Sequence, residues 1–303
     1  MEEVKEKLSD RNSVKQPHPA KEEQTEKMSH DPEIALAFFK SQLFEPQGRY
    51  AFGYLTEKRG YTKDEIEGME LGFFPPKQYV RDTLGVDLFE ELGFDVKGLG
   101  RTHKIVIPYR KPDGSIKGFI VRRIDSKRPK YLYSAQMERD TLFNLNAVKR
   151  TGDIYVTEGY FDALIATQRG IQGVVSTGFS RLTERMLEDI MRWGIKCITL
   201  IPDNDLVGLK GAAQSIALLK GKEISTFVLE LPEQYKDLDE FIRHEGIKEF
   251  ERLTRQVKNA ENWEVQKLLN KRSNIKVQIR SAHNTRTAHI YYISKGNQNR
   301  QDQ

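Results

Sequence analysis

The sequence predicts an α/β domain with a parallel sheet, preceded by a basic subdomain of mixed α+β class. Between residues 153 and 231, short apolar strand-like runs alternate with helical segments, an order typical of a parallel sheet covered by helices. Upstream, the β-rich runs KIVIPYR and GSIKGFIVRRI are joined by KPDGS. Its proline presets one dihedral angle and its glycine allows positive φ, so we expect a hairpin there, with PKYLYS as a third extended piece.

The α/β domain is expected to follow the order strand, helix, strand, helix, strand, helix, strand. In that order the segments are IYVTE, FDALIATQR, GVVST, TERMLEDIMRW, CITLIP, LKGAAQSIALLK and ISTFVLEL. Parallel strands end at a common edge of the sheet, which is where open sheets place their active sites. We therefore expect the residues that follow these strands to lie near one another.

Four segments are predicted along the chain. Residues 1–30 are rich in Glu, Lys, Gln and Ser, so we expect a disordered polar tail. Residues 31–150 form the basic subdomain, with helices from Pro32 and over residues 50–59, and with Thr62 as a helix N-cap. Residues 151–250 form the parallel-sheet domain. Residues 251–303 are expected to hold a helical segment, whose pattern runs from residue 249 to residue 271, and a polar tail in which HIYYI forms a short strand or a packed end.

Composition limits the classes of function. The 303 residues leave room for one or two domains with sizeable cores. The single cysteine, Cys197, excludes disulfide frameworks and cysteine-ligated zinc, so no zinc is expected. The first 30 residues lack the apolar core of a signal peptide, and no apolar run reaches the ~18 residues of a membrane helix. We expect a soluble, cytoplasmic protein with no membrane partner.

Charge is distributed unevenly along the chain, whose net charge is +5. Residues 97–150 contain 14 Lys and Arg against 4 Asp and Glu, whereas residues 151–250 contain 11 against 16. Lys and Arg neutralise the phosphates of nucleic acids, and divalent cations need oxygen ligands. The pattern favours a polyanion-binding surface beside a carboxylate metal site. A solvated charged surface with no such role is the alternative.

Three acidic motifs follow predicted strands. Their carboxylates are Glu158, Asp162, Asp203, Asp205, Asp237 and Asp239. In extended backbone, side chains at i and i+2 point the same way, and paired like charges require a compensating cation or proton. Each carboxylate taken alone also fits a helix cap or a solvated turn. Together they favour a site for Mg²⁺ or Mn²⁺ and two-metal-assisted phosphoryl transfer.

These motifs resemble a known family. EGYFD, DND and KDLDEF are similar to the TOPRIM domain shared by bacterial-type primases, topoisomerases and some nucleases. GFIVRR, PKYLYS and TLFNL, together with YLTEKRGYTKDEIEGMELGFFPP, resemble the catalytic core of bacterial replicative (DnaG-like) DNA primases. The resemblance covers residues 35–250. It implies a nucleotidyltransferase, a DNA-directed RNA polymerase that makes short RNA primers on single-stranded DNA during replication.

The resemblance also implies roles for the acidic residues. Glu158 is the general acid/base or metal-positioning carboxylate, and it forms the catalytic set with Asp203 and Asp205. The last two, with Asp237, are metal ligands. Asp162 and Asp239 are supporting carboxylates of the same metal site.

Nucleotide or template binding is assigned to the basic subdomain. Arg122 and Lys130 match positions that meet the ribonucleoside triphosphate or the template in primases. Arg123, Lys127 and Arg128 are phosphate contacts by charge, with a solvated surface as the alternative. Glu138 stands where the family places a lysine, and Arg139 beside it substitutes. The single-stranded template is expected in the cleft between the two domains.

Departures from the family pattern bear on partners. The chain carries no cysteine before Cys197, so a zinc-binding module for template selection is absent or supplied by a separate primase subunit. A replicative helicase is a further implied partner, and no G-x-x-x-x-G-K-[ST] motif indicates a fused one. The missing zinc ligands favour a mobile element, a phage or a plasmid as the host replicon.

Other classes of protein also fit parts of this pattern. A TOPRIM nuclease or another DNA-processing enzyme of a mobile element would need the same metal site. A non-catalytic single-strand-binding accessory is open because Tyr131 and Tyr133 could stack on bases. DNDLV also fits the start of haloacid-dehalogenase-like phosphatases, but there it follows the first strand, whereas two βα units precede it here. A topoisomerase is disfavoured because the chain lacks room for the domains that present its tyrosine.

Overall fold

In the computed structural model of the protein, residues 31–135, 137–139, 141–149, 152–264 and 267 are described. The predicted disordered tail at residues 1–30 and the HIYYI segment lie outside them. The chain divides into two compact units. The first comprises the described residues up to Lys58, with Glu70–Pro108 and Gly118–Met137; the second comprises Arg59–Met69, Tyr109–Lys117 and the described residues from Glu138 onward. Each unit therefore draws on separate stretches of sequence, and the predicted boundary at residue 150 stays a prediction.

Short helices precede the first long strand. They are α1 (Pro32–Phe44), α2 (Arg49–Gly53), α3 (Lys63–Gly68), α4 (Lys77–Leu84) and α5 (Val86–Glu91). Helix α1 begins at Pro32 because the Asp31 carboxylate accepts the Glu33 N–H at 2.9 Å. Helix α3, in the second unit, begins after Thr62, whose hydroxyl accepts the Glu65 N–H at 3.1 Å while the Glu65 carboxylate accepts the Thr62 N–H at 2.8 Å. The predicted N-cap is thus confirmed as a full capping box.

The first sheet has four strands in the order β1-β2-β3-β4. Their bounds are β1 (Gly72–Phe73), β2 (His103–Arg110), β3 (Ile116–Arg123) and β4 (Tyr131–Tyr133). Strand β1 is antiparallel to β2, and β4 is antiparallel to β3. Between β2 and β3 the Lys111 N–H donates to the Ser115 carbonyl at 2.8 Å, with Gly114 at φ 90°. The predicted hairpin and third extended piece are confirmed.

An aromatic cluster forms the core of the first unit. Phe39 of α1 stacks on Phe74, with ring centroids 4.8 Å apart. Phe94 and Phe119 meet Phe39 edge-on at 5.4 and 5.7 Å. All four side chains are buried. Stacked and edge-on rings of this kind add to the free energy gained from burial alone, so the cluster joins α1 to the sheet.

The second unit contains a five-stranded sheet in the order β6-β5-β7-β8-β9. Its elements are β5 (Ile154–Thr157), α6 (Tyr160–Gln168), β6 (Val174–Ser176), α7 (Glu184–Arg192), β7 (Cys197–Leu200), α8 (Leu206–Leu219), β8 (Ser225–Val228), α9 (Leu238–Thr254) and β9 (Lys258–Asn259). Strands β5 to β8 are parallel, and β9 is antiparallel to β8. The predicted α/β alternation is confirmed. None of the helices that the structure describes is long and apolar enough to cross a membrane.

The helical segment predicted from residue 249 to residue 271 is wrong in its start and in its continuity, and its predicted end lies outside the described residues. Helix α9 begins earlier, at Leu238, because the Asp237 carboxylate accepts the Glu240 N–H at 3.0 Å. It is interrupted at Gly246, where φ is 77°, and ends at Thr254. Lys258 and Asn259 then pair with the edge of the sheet, and helical structure resumes at Ala260. Edge pairing depends on a distant strand, which a local periodicity does not reveal.

A pH dependence of stability follows from His103 in the first unit. Its buried ring meets the Pro129 carbonyl at 3.0 Å through Nε2, and burial is the main cause that lowers its pKa below 6.5. The unfolded chain binds this proton more readily, so the unfolding free energy should fall as the pH drops through about 6.5. Urea unfolding of wild type and His103→Asn at pH 7.5 and pH 5.5 checks this. If wild type and His103→Asn differed by the same unfolding free energy at both pH values, the prediction would be contradicted.

Candidate functional site

The acidic residues predicted from the motifs gather at the carboxyl edge of the five-stranded sheet. Glu158 follows β5, Asp203 and Asp205 follow β7, and Asp237 follows β8. Strands β5, β7 and β8 are parallel neighbours, so their ends lie at one edge. The Asp203 N–H donates to Glu158 Oε1 at 3.2 Å, which joins the first two motifs directly.

Glu158 is the half-buried carboxylate at this edge. Burial raises its pKa to about 7, and the negative charges of Asp203 and Asp205 act in the same direction. The Asp203 N–H and the Lys236 ammonium oppose the rise. A carboxyl group with a pKa near neutrality can take up or release a proton at physiological pH, as general acid/base chemistry requires.

Gly208 makes the close approach of these groups possible. A Cβ atom at this position would lie 2.4 Å from the Asp203 carbonyl oxygen and 2.7 Å from Glu158 Oε1. The first contact is with backbone and cannot rotate away, so a side chain would force the edge apart. The motifs did not predict a role for this residue. Its signal in the sequence is a glycine three positions after Asp205, in the first turn of the following helix.

Asp205 and Asp237 also cap helices. Asp205 Oδ1 accepts the N–H groups of Val207 and Gly208, both at 2.9 Å, at the start of α8. Asp237 Oδ1 accepts the Glu240 N–H at the start of α9. The cap interpretation is therefore correct for both residues. It does not compete with metal binding, because each carboxylate has a second oxygen.

Asp162 and Asp239 form a buried layer. Asp162 accepts the Gly159 N–H at 3.0 Å and the Asp239 N–H at 2.8 Å. Burial, followed by the charges of Asp237, Asp203 and Asp239, raises the pKa of Asp162 well above its usual range. Asp162 thus ties the turn after β5 to the first turn of α9.

Asp239 is satisfied by side-chain donors. Its Oδ1 accepts the Tyr61 hydroxyl at 2.8 Å and Arg243 Nε at 3.0 Å, and Arg59 pairs with Oδ2. Burial and the Asp239 charge raise the pKa of Tyr61 well above 10, so the hydroxyl remains a donor. The metal-ligand role predicted for Asp239 stays a prediction. The motifs did not point to Arg59 and Tyr61, whose partner lies about 180 positions along the chain.

The carboxylates at this edge of the sheet are suited to a divalent cation. Carboxylate oxygens are the ligands that Mg²⁺ and Mn²⁺ prefer. Burial, followed by the charges of Asp203 and Asp205, raises the pKa of Glu158, and a bound cation would offset the cost of keeping this carboxylate ionised. Within the part of the chain that the structure describes, no three Asp, Glu, His or Cys side chains form a ready-made metal cluster. The carboxylate oxygens are chemically suited to the cation, and the side chains would reach their final arrangement when the cation binds.

The predicted phosphate-binding residues of the first unit fall into two groups. Arg122 is buried, donates to the Arg123 carbonyl at 2.9 Å and lies 5.0 Å from the Tyr54 ring centroid. Arg123 makes two hydrogen bonds to Asp125, at 2.6 and 2.7 Å. By contrast, Lys127, Arg128 and Lys130 are exposed. The second group is the more accessible to a nucleic-acid backbone.

Arg139 belongs to the second unit. Its exposed guanidinium lies 4.6 Å from the ring centroid of Phe179, on the turn after β6. The turn also carries Gly178 at φ 65°. The nucleotide-binding role assigned to Arg139 stays a prediction, as do the roles of the basic residues of the first unit.

Comparison with known proteins identifies the fold. Residues 155–242 match the family described as Toprim-like. A DNA primase of Synechocystis sp. (strain ATCC 27184 / PCC 6803 / Kazusa) is 27% identical over 275 residues, covering 80% of this chain and 42% of that protein. The crystal structure of a DNA primase domain from Pseudomonas aeruginosa superposes with a TM-score of 0.67 at 25% identity, covering 79% of this chain and 82% of that one. This chain has the fold of a DnaG-type primase catalytic core.

A second solved structure has the same fold. The DnaG primase catalytic domain bound to ssDNA superposes with a TM-score of 0.65 at 22% identity, covering 82% of this chain and 84% of that one. The predicted fold class and the predicted relationship to DnaG-like primases with a TOPRIM domain are confirmed. The chain spans about half or less of the length of its curated primase relatives. The comparisons do not support the expectation of a phage or plasmid replicon.

Stability of the metal-free protein should rise when Glu158 loses its charge. Glu158→Gln keeps an oxygen for the Asp203 N–H and removes a half-buried charge repelled by Asp203 and Asp205. We expect a gain of about 1–2 kcal/mol at pH 8 in EDTA, allowing for partial exposure. Thermal unfolding measures it.

The matched control is Glu223→Gln, because that side chain is 95% exposed and 3.7 Å from Lys196. Its unfolding temperature should not change. If the unfolding temperature rose equally in both variants, or did not rise in Glu158→Gln, the charges of Glu158, Asp203 and Asp205 would not be destabilising the fold.

Proposed function

We propose that this chain is the catalytic core of a DNA primase, which joins ribonucleotides into short RNA primers on single-stranded DNA during replication. The observation that carries the proposal is the acidic edge itself: Glu158, Asp203, Asp205 and Asp237 at parallel strand ends, in a fold whose relatives are DNA primases. The substrates are ribonucleoside triphosphates and a DNA template. The template implies a cytoplasmic site of action.

The acidic edge would hold the cation through Glu158, Asp203, Asp205 and Asp237. When bound, Mg²⁺ or Mn²⁺ supplies Lewis acidity and neutralises charge on the transferring phosphoryl group. Glu158, whose pKa is about 7, can hold or release a proton close to this group. Asp162 fixes the turn that carries Glu158 by accepting the Gly159 N–H.

Template binding is assigned to exposed basic residues of the first unit. Lys127, Arg128 and Lys130 lie in and beside the loop that joins β3 to β4. Mobile ammonium and guanidinium groups bind backbone phosphates without reading sequence. A DnaG catalytic domain of the same fold has been observed with single-stranded DNA, which supports a DNA partner here. A helicase and a separate zinc-binding subunit are further partners that we infer from the family resemblance alone.

Primer synthesis tests the proposal directly. Purified protein is incubated with single-stranded DNA, four ribonucleoside triphosphates and Mg²⁺ or Mn²⁺, and labelled oligoribonucleotides are measured. We expect products from wild type and from Glu223→Gln, and a loss of at least about 100-fold in Glu158→Gln and Asp203→Asn. EDTA should abolish synthesis.

The same reaction with labelled template separates the rival activities. Shortened DNA without new RNA would identify a nuclease and overturn the proposal. DNA binding with neither product would identify a non-catalytic accessory.

Template binding gives an independent prediction. Charge reversal at an exposed phosphate-binding residue should weaken single-stranded DNA binding and reduce the salt slope by about one for each phosphate that is no longer neutralised. We expect this for Lys130→Glu and Arg128→Glu but not for Lys222→Glu, which lies on the exposed turn before β8. Fluorescence anisotropy at several salt concentrations measures the slope. Equal weakening by all three variants would point to non-specific charge instead.

A further inference from the structure

Asn204 occupies the position between Asp203 and Asp205, and none of the roles assigned above uses it. Its side-chain nitrogen donates to the carbonyls of Tyr235, Pro232 and Leu231, at 2.7, 3.0 and 3.2 Å. Its backbone N–H donates to the Lys236 carbonyl at 2.8 Å. Asn204, in the turn that follows β7, therefore donates hydrogen bonds to four carbonyl groups of residues 231–236.

Residues 231–236 connect β8 to α9 and lead directly into Asp237. The segment closes on itself where the Tyr235 N–H donates to the Pro232 carbonyl at 3.0 Å. At its end, the Lys236 N–H donates to Glu240 Oε2 at 2.8 Å, which fixes the segment to α9. Asn204 attaches the segment to the turn that carries the D-x-D motif. The position of Asp237 relative to Asp203 thus depends on Asn204.

The chemistry of this contact requires an amide. Every group that faces the Asn204 side-chain nitrogen is a carbonyl oxygen, which only accepts hydrogen bonds. An aspartate has nearly the same shape but no donor, and it would place a charge against three acceptors. These contacts are partly buried, and acceptors left unpaired there are costly, so the segment would move away. Asn204 therefore differs from its two acidic neighbours in role as well as in charge.

We propose that Asn204 is a positioning residue, which sets the distance between Asp237 and the pair formed by Asp203 and Glu158 by holding residues 231–236 in place. Only the consequence for primer synthesis rests on the proposed function. The positional effect is a property of the folded chain and can be measured without substrate.

Two measurements on Asn204→Asp test the inference. Hydrogen–deuterium exchange followed by mass spectrometry should show faster exchange of the peptide that covers residues 231–237. The apparent affinity for Mn²⁺, measured from the free-ion electron paramagnetic resonance signal, should fall about 10-fold, as is typical when a group that orients metal ligands is removed. Asn204→Ser keeps one donor and should give intermediate values, which also serves if the aspartate variant folds poorly.

Asn144→Asp is the matched control. Asn144 lies in the same unit, and its side-chain nitrogen donates to Thr167 Oγ1 at 3.0 Å and to the Val174 carbonyl at 2.8 Å. Val174 is the first residue of β6, so it lies at the amino-terminal edge of the parallel strands, opposite to the carboxyl edge where the acidic residues lie. This substitution removes comparable hydrogen bonds, so it should lower the unfolding temperature without changing Mn²⁺ affinity or exchange at residues 231–237.

The outcomes separate this inference from the proposed function. Unchanged exchange at residues 231–237 in Asn204→Asp would overturn it, as would an equal loss of Mn²⁺ affinity in Asn144→Asp. If wild type makes no primers but the Asn204 variants still show faster exchange and weaker Mn²⁺ binding, the positioning role stands and the proposed function fails.

Discussion

The second unit depends on one constraint, which is that several carboxylates lie close together at one edge of its parallel sheet. Burial is the leading cause of the raised pKa values of Glu158 and Asp162, and neighbouring carboxylates act in the same direction. The fold offsets this with main-chain donors. Backbone N–H groups reach Glu158, Asp162, Asp205 and Asp237, each at 2.8–3.2 Å. Turns and helix N-termini therefore stabilise the edge, as the dipoles of helices favour negative charge there.

A second layer of charge explains why residues far apart in sequence belong to one unit. Arg59, Tyr61 and Arg243 all donate to the buried Asp239, whose own N–H supports Asp162. Arg169, directly after α6, pairs with Glu65 of α3 at 2.7 Å and donates to the Ile242 carbonyl of α9 at 2.9 Å. Breaking one partner of a buried pair leaves an uncompensated charge. Helix α3 is thus held by the layer that supports the acidic edge, although it lies outside the α/β segment in sequence.

Local patterns are sufficient where short-range physics decides the structure. The strand runs, the KPDGS turn and the Thr62 cap are set by neighbours within a few residues, and their positions could be predicted. The bounds of α9 could not, because Gly246 interrupts the helix and the pairing of β9 depends on β8. The acidic motifs could be read from spacing. The roles of Arg59 and Gly208 could not, since each is defined by a contact that only the tertiary fold creates.

The D-x-D motif supplies both negative charge and an attachment to the next acidic motif. The Asp205 N–H donates to the Asp203 carbonyl at 2.8 Å, so the motif forms a three-residue γ-turn centred on Asn204, and the backbone is extended at Asp205, with φ −137° and ψ 171°. Within this turn the Asp203 N–H reaches Glu158, while the Asn204 side chain reaches the carbonyl groups of residues 231–236. The two aspartates supply negative charge and Asn204 supplies the attachment that fixes the next acidic motif, so moving the asparagine to position 203 or 205 would remove that attachment.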